Sequence, residues 1–225
     1  MTKFYFDKVA ANKAIGFIEQ FITHTKGELS GKKLKLEDWQ KKIVGDIFGW
    51  KNKETELRKY RTVFILLGRK NGKSTLCAAI GLYMLFADEE RGSEVYSAAG
   101  DRQQAGIVFE IAKGMILQSP ELSQRGKVFR NSIVNESKGN FYQAISSDSK
   151  TKHGFNANCI IFDELHTQPN RDLWDTLVTS TGSRRQPLTI AITTAGYDKQ
   201  SICYEIYSYA KKVADKVIKD DSFYS

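Results

Sequence analysis

The sequence predicts an α/β fold with a mainly parallel central sheet flanked by helices, on three observations. Apolar segments at residues 62–67, 94–100, 159–162 and 188–193 alternate with helical patterns, as expected of strands buried on both faces by crossover helices. A glycine-containing loop at residues 67–75 separates the first strand from a helix. The strand at 159–162 runs into two adjacent carboxylates, Asp163 and Glu164. In such sheets ligands gather at the carboxyl ends of the strands.

Taken in order, Val9, Ala14, Ile15, Phe17, Ile18, Phe21 and Ile22 recur at helical spacing and predict a helix over residues 8–24. Residues 23–33 are polar, hold two glycines and read as a loop. A second helix covers 36–48, with Glu37 and Asp38 in the first turn, where the helix dipole favours acids. A charged segment, 51–61, precedes the strand at 62–67. Leu76, Ala79, Ile80, Tyr83 and Met84 predict the helix after the loop. A strand at 94–100 ends at Gly100, and a helix at 102–118 stops before Ser119 and Pro120. Strands at 128–134 and 141–146 flank a hairpin-like turn at 135–140. A helix at 170–180, the strand at 188–193 and an amphipathic helix at 201–218 complete the chain. The expected division is an N-terminal helical extension, 1–60, and a core, 61–225, within one domain overall.

Composition sets bounds. At 225 residues and 41% hydrophobic content the chain suits one large domain with a full core. The net charge of +8 favours a polyanionic partner, nucleic acid first, although charge alone also fits a merely basic protein. The first seven residues lack the apolar run of a signal peptide. No stretch approaches the ~20 apolar residues of a membrane helix, so no membrane partner is expected. Cys77, Cys159 and Cys203 are scattered and read as small buried hydrophobes in a reducing compartment. With His24, His153 and His166 equally dispersed, no zinc spacing appears.

Residues 67–75, Leu-Gly-Arg-Lys-Asn-Gly-Lys-Ser-Thr, carry the chemistry. Strand, glycine loop and helix are the context of a Walker A motif, in which backbone N–H groups and the helix N-terminus cradle phosphate. Gly68, Arg69, Lys70, Asn71, Gly72, Lys73, Ser74 and Thr75 are the expected nucleotide-binding set. Lys73 reaches the β- and γ-phosphates, and the Ser74 hydroxyl takes Mg²⁺. Leu67 stands where the usual first glycine belongs, so a chance Gly-Lys-Ser before a helix is the competing explanation. Residues 159–164 have the form of a Walker B strand, with Asp163 placed to hold Mg²⁺ through water and Glu164 to polarise the attacking water as general base. An ordinary acidic helix start would look similar. Their order along the chain favours a P-loop NTPase of the ASCE, RecA-like type that hydrolyses ATP. A hydroxyl in Thr193-Thr194-Ala195-Gly196 is expected to touch the γ-phosphate or the water, although threonines suit strand ends anyway.

Together these residues resemble the ATPase domain of the large terminase subunit of tailed bacteriophages, over nearly the whole chain. Residues 68–74 look like that family's deviant Walker A, which has an arginine after the first small residue. Residues 162–166, Phe-Asp-Glu-Leu-His, look like its Walker B, and residues 193–196 like its coupling motif. The resemblance implies a motor that hydrolyses ATP to move double-stranded DNA into a procapsid, with ATP and Mg²⁺ as cofactors. It makes Lys73 and Glu164 catalytic and Arg69 a candidate for stabilising transition-state charge. It makes Gln40, in Leu36-Glu37-Asp38-Trp39-Gln40, the reader of the adenine edge, where the residues alone equally suggest an ordinary helix with one buried Trp. Thr194 joins the nucleotide contacts.

The implied partners are DNA, the portal protein, the small terminase subunit and further copies of the chain. The copies would form a ring, expected as a pentamer on the procapsid and a monomer in isolation, in the host cytoplasm at the portal vertex. The family's neighbour-supplied basic residue has no arginine to match it at 146–154. Lys150, Lys152, His153, Arg102, Arg184 and Arg185 remain candidates. The length leaves no room for the family's nuclease domain, so cleavage is expected to be absent. Two alternatives stay open, a DEAD/DEAH-type helicase domain and a nucleotide-binding assembly module without turnover.

Overall fold

A computed structural model of the chain describes residues 2–147, 154–196 and 198–225. Strand β1 (Phe4–Phe6) leads into α1 (Lys8–Phe21), which Asp7 caps by accepting the N–H groups of Val9 and Ala10 at 2.9 and 3.0 Å. Helix α2 (Asp38–Gly49) packs along α1, and β2 (Trp50–Asn52) pairs antiparallel with β1. Then come β3 (Thr62–Leu66), α3 (Lys73–Phe86), β4 (Glu94–Ala99), α4 (Arg102–Leu117) and the short α5 (Pro120–Ser123). Strands β5 (Lys127–Val128), β6 (Ser132–Asn135), β7 (Asn140–Ser146) and β8 (Ala157–Asp163) follow. Helix α6 (Asp172–Thr179), β9 (Leu188–Thr193), α7 (Ile202–Ala214) and β10 (Phe223–Tyr224) close the chain.

Among the described residues, eight strands make the main sheet in the order β10-β3-β9-β8-β4-β7-β6-β5. Pairing is parallel from β10 to β7 and antiparallel across β7, β6 and β5. The chain leaves β3, makes β4 three places away, and later returns to insert β9 between β3 and β8. That return brings the carboxyl ends of β3, β8 and β9 side by side. Helix α3 is buried almost all round, as a helix apolar on every face must be. It is walled by α1, α2, α4 and the sheet, while α6 and α7 cover the opposite face with Phe162, Leu173, Trp174 and Leu177.

The amino ends of the strands carry a buried polar network. Arg58 pairs with Asp88 at 2.5 Å, both about 5% exposed, and also donates to the Gln186 carbonyl. Asn158 Nδ2 donates to Asp88 at 3.4 Å and to Ser93 Oγ at 2.9 Å.

Several elements differ from the sequence reading. The strand expected at 128–134 is a tight hairpin of β5 and β6, in which Phe129 N–H donates to the Ser132 carbonyl at 2.8 Å and Arg130-Asn131 forms the turn. Helix α1 ends at Phe21 because Thr23 and His24 enter bridges with Lys33 and Ser30. Helix α7 stops at Ala214, with Lys216 in the left-handed region at φ 58°. Strands β1, β2 and β10 had not been expected.

Candidate active site

The loop after β3 is tied to the sheet before it curls. Leu67 N–H donates to the Thr193 carbonyl at 3.1 Å, and its side chain packs on the core. Position 67 thus extends the β3–β9 bonding by one residue and has no positive φ that would call for glycine, and the turn follows Gly68. Gly68 O accepts from Lys73 Nζ at 3.1 Å and from Asn71 Nδ2 at 3.3 Å. Lys70 and Gly72 both sit in the left-handed region, at φ 66° and 69°, the second of which glycine tolerates without strain. Gly72 is the N-cap of α3, so the free N–H groups of that helix open at the loop. Arg69, Lys70 and Asn71 are exposed, and Arg69 has no hydrogen bond or ion pair among the described residues. Thr75 is half-buried on the first turn of α3.

Every residue of β8 is buried. Asp163 Oδ2 accepts from Ser74 Oγ at 2.8 Å, joining the loop to this strand. Asp163 Oδ1 is buried with no partner among the described residues, and burial, opposed by the Ser74 bond, raises the carboxyl's pKa. A buried, unsatisfied carboxylate oxygen beside a serine hydroxyl is the hard-oxygen set that suits Mg²⁺.

Glu164 turns out of the strand in the left-handed conformation, φ 50° and ψ 55°. Its Oε2 accepts from Thr194 N at 3.0 Å and from Thr194 Oγ1 at 3.1 Å. Its Oε1 lies 3.5 Å from Lys73 Nζ, and His166 Nδ1 lies 3.3 Å from Oε2. Burial pushes this carboxyl up, but the Thr194 N–H, Lys73, the Thr194 hydroxyl and His166 together outweigh it and hold the pKa below its ordinary value. The carboxylate is thus ionised at neutral pH. The Thr194 hydroxyl, expected to face a phosphate or water, donates to Glu164 in this structure.

Gln40 is buried at the start of α2, and its Nε2 lies 3.8 Å from where a Cβ on Gly72 would stand. Its Oε1 accepts the Glu37 N–H at 2.9 Å. Gln40 therefore packs against the phosphate loop with its acceptor already committed. The alternative of one buried Trp does not hold, because Trp39 is 37% exposed.

Of the basic candidates, Lys150, Lys152 and His153 lie outside the described residues. Arg184 is a structural clasp at the amino ends of the strands, donating to the carbonyls of Asn156 at 2.9 Å and Gly92 at 2.6 Å. Arg185 is exposed just before β9, at that same far end. Arg102 opens α4, exposed, at the carboxyl end where the site lies. The sequence reading did not single out His166 and Thr193 as parts of the Glu164 environment. Both lie within the two motifs, and that membership was the only signal.

This fold, with its phosphate loop, buried Asp163 and poised Glu164, defines a P-loop ATPase domain. A family model described as "Terminase large subunit, ATPase domain" matches residues 38–212. The chain belongs to that family. It is 30% identical to the terminase large subunit of Enterobacteria phage HK97 over 191 residues, covering 81% of this chain and 36% of that protein. It is 24% identical to the terminase large subunit of Lactococcus phage SK1 over 98% of this chain and 40% of the other. The chain thus spans well under half the length of these relatives. The crystal structure of the HK97 bacteriophage large terminase superposes with a TM-score of 0.79 at 24% identity, over 95% of this chain and 43% of that one. The matches favour neither the helicase nor the scaffold alternative.

Proposed function

We propose that this chain hydrolyses ATP and uses the cycle to drive double-stranded DNA into a procapsid. The 2.8 Å bond between Ser74 and Asp163, with Lys73 and Glu164 beside it, is the observation that carries the ATPase reading. In this reading Gly68, Arg69, Lys70, Asn71, Gly72 and Thr75 line the phosphates and Lys73 neutralises the β- and γ-phosphates. Arg69 is free to reach developing charge on the γ-phosphate. Glu164 orients and deprotonates the attacking water, and Thr194 reports its position to the segment that follows. Mg²⁺, when bound with ATP, would be held by Ser74 and, through water, by Asp163, and would neutralise charge on the phosphate oxygens. Gln40 has its Nε2 left for a nucleotide.

The DNA reading rests on family membership and on the net charge of +8. Portal protein, small terminase subunit and a ring of further copies are the partners this role requires, with the host cytoplasm at the portal vertex as its place. Among the described residues no helix is long and apolar enough to cross a membrane. Residues 1–60 are assigned as an extension that buttresses the core at 61–225. Ile18, Ile22, Val44 and Ile47 of that extension share one apolar cluster with α3. The deciding experiment is an ATP titration. Lys73→Ala abolishes binding if the loop holds the nucleotide, and unchanged affinity overturns the proposal.

A further inference from the structure

We propose that His166 is a positioning residue for Glu164, its Nδ1 bonded to the end of β9 and facing the carboxylate; this rests on the reading of Glu164 as general base. Thr193 Oγ1 donates to the Thr194 carbonyl at 2.9 Å, which uses its one hydrogen. With that hydrogen on the Thr194 carbonyl, His166 Nδ1, 2.9 Å from the same oxygen, is the donor. In this arrangement the imidazole carries a proton on Nδ1 directed at Thr193 Oγ1, and Glu164 Oε2 lies 3.3 Å from the same nitrogen. The His166 backbone N–H also donates to Thr193 Oγ1 at 3.3 Å, so the ring is anchored twice to the end of β9. Gly196 completes the arrangement, since a Cβ there would stand 2.9 Å from His166 Cβ. One imidazole thus bonds the end of β9 while facing the general base, and Gly196 lies close against its Cβ. Loss of the N–H leaves Glu164 with Thr194 and Lys73 alone, and Lys73 must leave to bind phosphate.

The test is single-turnover ATP hydrolysis with protein in excess, alongside ATP affinity by titration. His166→Phe keeps the ring and removes the donor, and His166→Asn keeps an N–H donor near the Nδ1 position. The expected result is a fall in the hydrolysis rate of about tenfold for Phe with near wild-type rate for Asn, and unchanged ATP affinity in both. A wild-type rate in the Phe variant, or an Asn variant as slow as Phe, overturns the inference. Should the Phe variant fail to fold, Gly196→Ala reads the same contact by displacing His166, and an unchanged rate there overturns it equally. Glu164→Gln run in parallel separates the two readings. If it still turns over, the base assignment falls. If it is inactive while His166→Phe is fully active, only the role of His166 falls.

Discussion

Replacing Glu164 with Gln separates chemistry from binding. The side chain keeps its size, and Thr194 N–H, 3.0 Å from Oε2, still needs an acceptor. The amide oxygen therefore turns to Thr194 and the NH₂ faces Lys73, whose Nζ sits 3.5 Å from Oε1 in the wild type. Two donors now oppose one another, and Lys73 is released toward the phosphates. The lost ion pair is part-exposed on the Glu164 side and worth about 1 kcal/mol after screening, so ATP affinity rises by up to ~5-fold. Turnover loses its base and falls at least ~10²-fold, about 2.7 kcal/mol of barrier. Calorimetric titration with ATP and Mg²⁺ reads the first quantity, and single-turnover hydrolysis of labelled ATP reads the second. Turnover within about threefold of wild type would show that Glu164 is not the base. Affinity weaker by about tenfold would show that the carboxylate belongs to the binding site instead.

Asp163→Asn should raise the unfolding temperature at neutral pH without nucleotide or Mg²⁺, while Mg²⁺-dependent ATP binding is lost. Burial raises the pKa of this carboxyl, so the folded state disfavours its charge at pH above that value and the penalty fades as pH falls through it. A lower melting temperature, or intact Mg²⁺ dependence, contradicts the assignment. Asp88→Asn leaves Arg58 buried without its counter-charge, a loss of ~3–5 kcal/mol at roughly 2–4 °C per kcal/mol. Thermal unfolding followed by circular dichroism should show a drop of about 6–20 °C, and a shift under ~3 °C would mean that the Gln186 carbonyl suffices to hold Arg58. DNA binding should weaken log-linearly with salt, because neutralised phosphates release counterions. A flat response removes charge as the basis of that contact.

Local pattern carried much of this site and topology the rest. The apolar run before the loop and the one before Asp163 are visible in sequence because buried parallel strands must be apolar on both faces. Gly68, Gly72, Lys73 and Ser74 are visible because phosphate cradles need those residue types. Strands of two or three residues such as β10 and β1 carry no periodicity and exist only because a neighbouring edge pairs with them. The turn at Arg130-Asn131 lies inside a β-rich run that reads equally well as one strand. The left-handed backbone of Glu164 has no residue-level signal, since glutamate seldom adopts it. Strain of that kind survives only where surrounding bonds enforce it, and here the two Thr194 bonds and the short helical turn after Glu164 do so.

Insertion of β9 between β3 and β8 sets its carboxyl end against both the phosphate loop and Glu164. From that one strand end, Thr193 O accepts Leu67 N–H of the phosphate loop, Thr193 Oγ1 accepts from His166, and Thr194 holds Glu164. The loop and the base strand are thus bonded to each other at Ser74–Asp163 and both to Thr193, while Thr194 bonds Glu164. A nucleotide that draws Lys73 onto phosphate removes one of Glu164's partners. A Glu164 that then swings to a water must release Thr194. Thr194 leads directly into the segment between β9 and α7, so in the proposed cycle a change at the γ-phosphate would reach that segment through Glu164 and Thr194. Leu67 fits this scheme better than glycine would. Its side chain is held in the core, which together with its N–H bond to Thr193 fixes the loop's first residue to β9.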